Sequence, residues 1–347
     1  MKNTIIVKDY TSKLDVYETQ LAIKLCKDTF ESLLSESLEL MRVTAPLFVA
    51  PETGLNDNLS GKEKAVDFTL HNNQTLEIVQ SLAKWKRYAL NKYNADGIYT
   101  DMNAIRKNED QDNIHSVYVD QWDWEKRITK EDRTVDYLKE IVNKIYDVLK
   151  RTQEITHNKF PSLNNVLPDK IHFLTAQELE DLYPDLTRKE REYEITKKYG
   201  AVFLMCIGDK LKDGASHDGR ASDYDDWKLN GDLLVYYSLL DIALELSSMG
   251  IRVDKDSLLY QLKEKNEEFK LTLPYHKSII NNTLPLTIGG GIGQSRICMY
   301  LLNKAHIGEV QVSYWDKEDL ELFKRNNIHL LWKKRRLIRL LFFIDWY

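Results

Sequence analysis

The stretch "LPLTIGGGIGQSRICMYLLN" (residues 284–303) places four glycines within five positions, shortly before an arginine and an apolar helical pattern. The pattern predicts a strand over "PLTI", then a glycine loop, then a last helix that starts near Arg296. A glycine-rich segment that leads into a helix can bind phosphate, because backbone N–H groups point out of the helix N-terminus. The stretch therefore raises the question of which phosphate, if any, it contacts.

The two common nucleotide-binding fingerprints do not fit this segment. The dinucleotide motif requires its third glycine at a position that Gln294 or Arg296 occupies, depending on which glycine is counted first. A Walker A motif ends in Gly-Lys-Ser/Thr, whereas Gly61 and Lys62 are followed by Glu63. Neither motif explains the glycines.

The composition is typical of a soluble globular protein, with 43% hydrophobic residues, 30% charged residues and a net charge of -5. This charge argues against a basic nucleic-acid-binding protein, so no nucleic-acid partner is expected. No apolar run reaches the roughly eighteen residues of a membrane span, so no membrane partner is expected and the predicted location is cytoplasmic. The absence of a Gly/Ser tract favours one continuous domain.

Periodicity along the chain predicts helices on either side of a group of strands. Apolar residues recur at helical spacing over residues 15–40 and 134–158, and another helix is predicted near 256–269. Strands are predicted for "IHSVYVDQWDWEKRI", "GAVFLMCIG", "NGDLLVYYSLL" and "ALELSSMGIRV", without regular alternation of strand and helix. This pattern predicts an α+β fold in which helices flank a mainly antiparallel β-sheet.

Several predicted strands carry polar side chains where core-facing positions are expected. An unpaired buried polar group costs on the order of 1 to 3 kcal/mol, so a polar ligand is one way to satisfy such groups, and a solvated sheet face is the alternative. The polar side chains are Gln121, Asp123, Asp232, Glu245, Ser247 and Ser248. Cations that could pair with them lie in polar turns: Lys86, Arg106, Arg220, Arg252 and Arg296. Together the two sets indicate a zwitterionic substrate together with phosphate.

Arg296 gives a partial answer to the question that the glycines raise. A segment without Cβ atoms lets a flat ligand approach the backbone closely, and an arginine at the start of the next helix adds a permanent charge for phosphate. A glycine-rich packing contact beside a surface arginine is the alternative.

Ten segments stand in order along the chain: "DNLSGKEKAV", "SLAKWKR", "HSVYVDQWDWE", "LPDKIHFLTAQEL", "YPDLT", "GAVFL", "DYDDW", "LNGDLLV", "ELSSMGIRV" and "TIGGGIGQSR". They resemble the ammonia-dependent asparagine synthetases, also called aspartate:ammonia ligases. The resemblance covers about residues 10–331, and several of the segments are long and unusual in composition.

That family is similar to the catalytic domain of class II aminoacyl-tRNA synthetases, and the resemblance places three class motifs in the chain. Pro46 resembles the first-motif proline at a homodimer interface. Arg106 resembles the second-motif arginine that contacts the α-phosphate. Residues 289–296 resemble the third motif, in which Arg296 clamps ATP.

The resemblance implies ATP-dependent amidation of L-aspartate. Aspartate and ATP would give a β-aspartyl-adenylate and pyrophosphate, and ammonia would then displace AMP to give L-asparagine. Two anions must meet before attack on the α-phosphorus, and arginines together with Mg²⁺ would neutralise their charge.

The resemblance also implies roles for individual residues. The predicted catalytic residues are Asp57, Lys86, Arg106 and Gln121. The predicted aspartate-binding residues are Ser81, Asp123 and Arg252. The predicted ATP-binding residues are Ser116, Asp225, Glu245, Ser247, Ser248, Ser295 and Arg296. The predicted contacts of Mg²⁺ are Asp232 and Glu245.

Ammonia requires a base, because at neutral pH it is mostly ammonium, which cannot attack a carbonyl carbon. A carboxylate near the adenylate could bind the cation and remove its proton. We assign this role to Asp57 as a hypothesis, with Gln121 orienting it. The alternative is that Asp57 caps the turn "NLSG", as aspartate often does.

Two alternative functions fit the sequence less well. An aminoacyl-tRNA synthetase would be expected to carry an anticodon-binding domain, yet the class motifs begin almost at residue 1. A non-catalytic relative would be expected to have lost Arg106, Arg296 or Asp57, and all three are present. The predicted organisation is one catalytic domain, residues 1–331. A basic and apolar extension of unknown role follows at 332–347, either a membrane-surface or partner helix or a segment without function.

Overall fold

The computed structural model describes residues 4–57, 59 and 63–332, so the predicted C-terminal extension lies outside the described residues from 333 onward. In these ranges the strands are β1 (Met41–Arg42), β2 (Phe48–Val49), β3 (Asp67–Thr69), β4 (Thr75–Ile78), β5 (Gly97–Ile105), β6 (Tyr118–Arg127), β7 (His172–Thr175), β8 (Ala201–Met205), β9 (Asp225–Tyr237), β10 (Ile242–Arg252) and β11 (Thr287–Gly293). The α-helices are α1 (Val16–Leu38), α2 (Ala83–Tyr93), α3 (Val135–Lys159), α4 (Ala176–Leu182), α5 (Arg188–Tyr199), α6 (Lys255–Lys265), α7 (Pro274–Ile280), α8 (Gln294–Leu301) and α9 (Lys317–Arg325).

A large sheet organises these elements. Eight of the described strands form it in the order β1-β5-β6-β11-β10-β9-β8-β7, and β2, β4 and β3 form a small separate sheet. Within the large sheet, β1 pairs parallel with β5 and β7 pairs parallel with β8, while the other neighbours are antiparallel. The predicted α+β fold with a mainly antiparallel sheet and flanking helices is therefore confirmed.

Helix α1 shows how the apolar face of the sheet is covered. Asp15 caps its first turn and accepts a hydrogen bond from the backbone N–H of Glu18, and the helix ends where Glu39 adopts a left-handed conformation. The buried side of α1 packs on α3, and Phe30 stacks on Trp122 with ring centroids 4.6 Å apart. The helices predicted over 15–40 and 134–158 are thus confirmed as α1 and α3.

Strand β6 separates this apolar core from a polar face. Successive side chains of a strand point to opposite faces, so Trp122 and Trp124 enter the core while Gln121, Asp123 and Glu125 lie on the other side. The polar residues predicted along this strand therefore share one face of the sheet.

The glycine segment differs from its prediction. Its four glycines belong to β11, which pairs with β6 on one side and β10 on the other, so they form a strand and not a loop. Helix α8 begins at Gln294, close to the predicted start, but it is not the last helix, because α9 follows it. Hydrogen bonds to both neighbours hold the glycines extended despite their low strand propensity.

The helix predicted near 256–269 is shorter in the structure. Helix α6 ends at Lys265, where Asn266 adopts a left-handed conformation, and a short 3-10 helix follows over Glu268–Thr272. Lys228 lies within β9.

Candidate active site

The glycines of β11 make room for polar side chains on the site face of the sheet. A Cβ at Gly289 would lie 2.0 Å from Glu125 Oε2 and 2.6 Å from Arg252 Nη2. A Cβ at Gly291 would lie 2.5 Å from Gln121 Oε1. The strand therefore lacks Cβ atoms at these two positions because side chains from neighbouring strands occupy the space, and not because the backbone forms a phosphate loop.

One cavity of about 290 Å³ lies over this face. Every predicted site residue except Asp232 lines it, although these residues come from distant parts of the chain. They are Asp57, Ser81, Lys86, Arg106, Ser116, Gln121, Asp123, Asp225, Glu245, Ser247, Ser248, Arg252, Ser295 and Arg296. Arg106 and Arg296, the two arginines predicted to contact ATP, thus face a shared cavity.

The deepest charges of the cavity are paired with one another. Arg252 donates to Glu125 Oε2 at 2.8 Å and forms an ion pair with Asp225, and its side chain is 2% exposed. Thr287 Oγ1 donates to Glu125 Oε1 at 2.6 Å. Burial lowers the pKa of Arg252, but the two carboxylates outweigh it and raise that pKa above its ordinary value.

Lys86 and Asp123 form a second buried pair. Lys86 Nζ forms an ion pair with Asp123 Oδ1 and donates to the carbonyl oxygen of Gly290 at 2.7 Å. Burial lowers the pKa of Lys86, and the Asp123 carboxylate opposes this shift. Asp123 Oδ2 is buried without a hydrogen-bond partner among the described residues. Lys86, Asp123, Glu125, Asp225 and Arg252 are called the paired floor below.

Arg106 and Arg296, called the open arginines below, are bound differently. Arg106 Nη2 donates to the carbonyl oxygen of Gln80 at 3.5 Å, and its buried Nε has no partner among the described residues. Arg296 Nη1 donates to the carbonyl oxygen of Glu245 at 3.0 Å and lies 3.5 Å from its carboxylate. Burial raises the pKa of Glu245, but Arg296 and Arg220 outweigh it and lower that pKa. Both arginines keep donors that an anion could use.

Asp57 is buried and has one free oxygen. Its Oδ1 accepts from the backbone N–H of Leu59 at 3.0 Å, while Oδ2 has no hydrogen-bond partner in the described part of the chain. Burial raises the pKa of Asp57 to about 6, with Lys84 opposing the shift. The residue therefore caps its turn and also offers a free acceptor. The described residues show no hydrogen bond from Gln121 that would orient it.

The serines of the cavity are held by neighbours on the protein. Ser116 Oγ donates to Gln311 Oε1 at 2.6 Å, and Gln311 Nε2 donates to Ser295 Oγ at 3.1 Å. Ser247 Oγ donates to the carbonyl oxygen of Gly291 at 3.0 Å. Ser81 Oγ accepts from a backbone N–H at the start of α2. These contacts fix the positions of the hydroxyls on the cavity wall.

Asp232, a predicted contact of Mg²⁺, is not among the residues that line the cavity. It forms an ion pair with Arg220, which does line the cavity and also donates to Ser248 Oγ at 3.0 Å. Burial raises the pKa of Asp232 to about 7, and Arg220 opposes the shift. In the described residues no group of three or more His, Cys, Asp or Glu side chains is arranged to hold a metal.

Sequence reasoning missed three residues that shape the site. Glu125 holds Arg252, and Gln311 holds two serines. Arg220, predicted only as a cation that could pair with polar strand residues, pairs with Asp232 and also lies on the wall. The alternation that selected Gln121 and Asp123 continues to Glu125, so that signal was present in the sequence. Gln311 has no such signal.

The fold defines the class. The structure is similar to asparaginyl-tRNA synthetase from Pyrococcus horikoshii in complex with asparaginyl-adenylate, with a TM-score of 0.62 and 15% identity, over 84% of this chain and 68% of that one. It is also similar to asparaginyl-tRNA synthetase from Entamoeba histolytica, with a TM-score of 0.60 and 14% identity, over 86% and 68% of the two chains. The chain thus has the fold of a class II aminoacyl-tRNA synthetase.

Sequence comparison identifies the family. The family model described as aspartate-ammonia ligase matches residues 17–327. The aspartate--ammonia ligase of Fusobacterium nucleatum subsp. nucleatum is 60% identical over 93% of this chain and 99% of its own length. That of Ruminiclostridium cellulolyticum is 56% identical over 95% of this chain and all of its own length. The chain belongs to the aspartate-ammonia ligase family, and the predicted enzyme class is confirmed.

Proposed function

We propose that this ligase uses ATP to convert L-aspartate into a β-aspartyl-adenylate, from which ammonia displaces AMP to give L-asparagine. The observation that carries the proposal is the cavity itself. It joins two open arginines, suited to phosphate, to a paired floor and to two carboxylates that each retain a free buried oxygen. The P. horikoshii neighbour, described in complex with an acyl-adenylate, supports the same use of the fold.

The free carboxylate oxygens match the two substrates that carry an ammonium group, aspartate and the ammonium ion. An ionised carboxylate only accepts hydrogen bonds, so Asp57 Oδ2 and Asp123 Oδ2 each need a donor. The ammonium group of aspartate and the ammonium ion are donors of this kind. We assign aspartate to Asp123, with Ser81 and Arg252 beside it, and ammonium to Asp57.

The open arginines act on the other substrate. Arg106 would contact the α-phosphate and Arg296 the nucleotide, since both line the cavity, Arg106 Nε has no partner among the described residues, and Arg296 bonds the protein through Nη1. Neutralising the α-phosphate allows the β-carboxylate of aspartate to approach the α-phosphorus. Lys86 and Gln121 lie on the same wall and complete the proposed catalytic group. The proposed ATP-binding wall comprises Ser116, Asp225, Glu245, Ser247, Ser248 and Ser295.

The second step needs a proton acceptor. Asp57 binds ammonium and takes one proton, so that neutral ammonia attacks the β-carbonyl carbon. The C–N bond forms as the C–O bond to the AMP phosphate breaks, and the nitrogen releases a second proton. A carboxylate with a pKa of about 6 is ionised at neutral pH and still basic enough to accept the first proton, from ammonium.

The proposal also includes a Mg²⁺ ion, which two carboxylate residues would bind. Glu245 presents a carboxylate to the cavity, and Asp232 Oδ1 is buried without a hydrogen-bond partner among the described residues. Carboxylate oxygens are ligands that Mg²⁺ prefers, usually together with substrate phosphates. Glu245 and Asp232 would hold the ion, which supplies charge neutralisation to the triphosphate when it is bound.

We also propose a homodimer in the cytoplasm. Large apolar side chains near Pro46 are exposed, with Met41 51% exposed, Leu47 51% and Phe48 44%. Exposed apolar groups of this kind often mark a protein interface. No helix in the described part of the chain has the length and apolar character needed to cross a membrane. Sedimentation of the wild type and of Leu47→Glu tests the dimer, and a wild-type monomer would contradict it.

The products test the reaction. The protein is incubated with aspartate, ATP, Mg²⁺ and ammonium chloride without tRNA, and asparagine, AMP and ADP are measured. We expect one AMP for each asparagine, and neither product without aspartate. Formation of ADP in place of AMP would show phosphate transfer and would overturn the adenylate route.

A further inference from the structure

A buried cluster of charged residues lies outside the cavity wall and interacts with Asp57. Asp223 Oδ2 accepts from Lys84 Nζ at 3.1 Å and from His276 Nε2 at 2.9 Å, and lies 3.5 Å from Lys270 Nζ. The side chains of Lys84, Asp223, Lys270 and His276 are 5%, 1%, 9% and 0% exposed. None of these four residues, called the Lys84 cluster below, lines the cavity.

The cluster connects four parts of the fold to the loop of Asp57. Lys84 lies on α2, Asp223 precedes β9, Lys270 lies on the 3-10 helix and His276 lies on α7. The Asp57 loop packs against this cluster, since a Cβ at Gly54 would lie 3.1 Å from Leu273 and 3.6 Å from His276 Cε1. Gln80, four residues before Lys84, donates through Nε2 to the backbone carbonyl oxygen of Asp57 at 2.8 Å. Because buried ion pairs seldom increase stability, a cluster of this size is better explained by a fixed placement of charge.

The charges around Asp57 act in both directions. Lys84 and Arg106 favour its ionised form, whereas Asp223 opposes it. Asp57 in turn interacts with Tyr224 and Lys270. The two lysines of the cluster each have a carboxylate partner: Lys84 pairs with Asp223, and Lys270 pairs with Glu267 at 2.8 Å. The groups that face Asp57 are thus Lys84, Arg106, Asp223, Tyr224 and Lys270.

We propose that Lys84 is a positioning residue for the ammonia step. Asp223, which His276 fixes by a hydrogen bond, holds the ammonium group of Lys84 behind the cavity wall, where its charge keeps the Asp57 carboxylate ionised and able to bind ammonium. The inference depends on the proposed function, since it requires Asp57 to be the base.

Two assays on the full chain separate the steps. Aspartate-dependent exchange of pyrophosphate into ATP, without ammonia, reports adenylate formation, and asparagine output as a function of pH reports the ammonia step. In Lys84→Met we expect the acid limb of kcat/KM for ammonia to move up by about one pH unit, because a nearby opposite charge is lost. Pyrophosphate exchange should stay within about threefold of wild type.

Matched variants define the direction of the effect. Asp223→Asn removes the charge that opposes ionisation of Asp57, so its acid limb should move to lower pH. Lys84→Arg should restore most of the wild-type profile. Lys92→Met, on the exposed end of the same helix, should leave the profile unchanged.

Each outcome decides the inference. An unchanged limb in folded Lys84→Met, or a parallel loss of both activities without a shift, overturns it. If Lys84→Met does not fold, Asp223→Asn decides, and an upward or absent shift overturns it. If Asp57→Asn leaves the ammonia step intact with normal pyrophosphate exchange, then Asp57 is not the base, and the proposed function fails at that residue independently of Lys84.

Discussion

The paired floor and the open arginines lie in one cavity but use charge in different ways. In the floor, Lys86 and Arg252 are 1% and 2% exposed, and each is already bound to carboxylates of the protein. Among the open arginines, Arg296 is 20% exposed, and Arg106 has no carboxylate within ion-pair distance in the described residues. In the floor both cations have carboxylate partners and Asp123 Oδ2 is left free, whereas the open arginines keep N–H donors that an anion could use.

This difference separates stability from activity. A buried charge that loses its partner destabilises the folded protein strongly, whereas an exposed one does not. The floor should therefore control folding and the shape of the aspartate site, while the open arginines should control the rate of adenylate formation. Four tests, which together use five substitutions, probe this division and the nearby Asp57, from the largest expected effect to the smallest.

Arg252→Met should have the largest effect. It leaves Glu125 and Asp225 as buried carboxylates without their cation, and breaking such a pair typically costs about 3 to 5 kcal/mol. We expect a loss of this size in the free energy of unfolding, measured by urea denaturation at pH 7.5. The double variant Glu125→Gln/Arg252→Met should recover part of the loss. A change below about 1 kcal/mol would show that the floor is not a unit.

Arg296→Ala should show the opposite behaviour. Loss of a preorganised charge at the phosphate typically lowers the rate by roughly 10² to 10³, so pyrophosphate exchange should fall by this factor. Its partial exposure means that the free energy of unfolding should change by less than about 1 kcal/mol. Arg325→Ala, on the exposed end of α9, is the control that should change neither quantity. A large loss of stability in Arg296→Ala would remove the distinction from the floor.

Gly289→Ala and Gly293→Ala compare two positions of the same strand. At Gly289 the new Cβ would lie 2.0 Å from Glu125 Oε2, inside the floor, so we expect a loss of about 3 kcal/mol. At Gly293 the nearest atom is the Cβ of Arg296 at 3.3 Å, and a loss below about 1 kcal/mol is expected. Thermal and urea unfolding measure both. Equal losses would mean that strand propensity, and not space for the floor, explains the glycines.

The sequence predicted most of the elements for physical reasons, whereas many of the residues that line the cavity were named from the family resemblance, and their roles stay predictions. The 3.6-residue period of α1 and the alternation along β6 are local patterns, so they survive without knowledge of the fold. The prediction of a glycine loop was wrong because glycine has a low strand propensity. Only pairing with β6 and β10 holds this segment extended. That pairing is a tertiary effect.

The contacts inside the site could not be predicted in the same way. Glu125 lies on the predicted polar face, but its partner Arg252 is 127 residues away in the chain. Asp232 was expected as a metal contact by residue type, but its ion pair with Arg220, which comes from another segment, could not be read from the sequence. The sequence left two roles for Asp57, a turn cap and a base. In the structure one carboxylate oxygen accepts a hydrogen bond within the turn, while the other has no partner among the described residues. Which oxygen of a carboxylate is paired and which is free depends on contacts between distant segments, so it cannot be read from the sequence.

Asp57→Asn is the last test, and its effect on stability should have the opposite sign. The pKa of Asp57 rises from an ordinary 3.8 to about 6 in the folded protein, so the folded state binds more protons than the unfolded state between these values. Stability is therefore lost as pH rises through about 6, and asparagine, which carries no charge, avoids this loss. We expect Asp57→Asn to unfold at a free energy about 1 to 2 kcal/mol higher than wild type at pH 7.5, and to show no gain at pH 4. Asp96→Asn, whose side chain is 97% exposed, is the control without a gain at either pH. A gain that persists at pH 4 would mean that the charge of Asp57 is not its cause. A variant that is more stable and has lost the ammonia step would show that this carboxylate is kept for chemistry at the expense of stability.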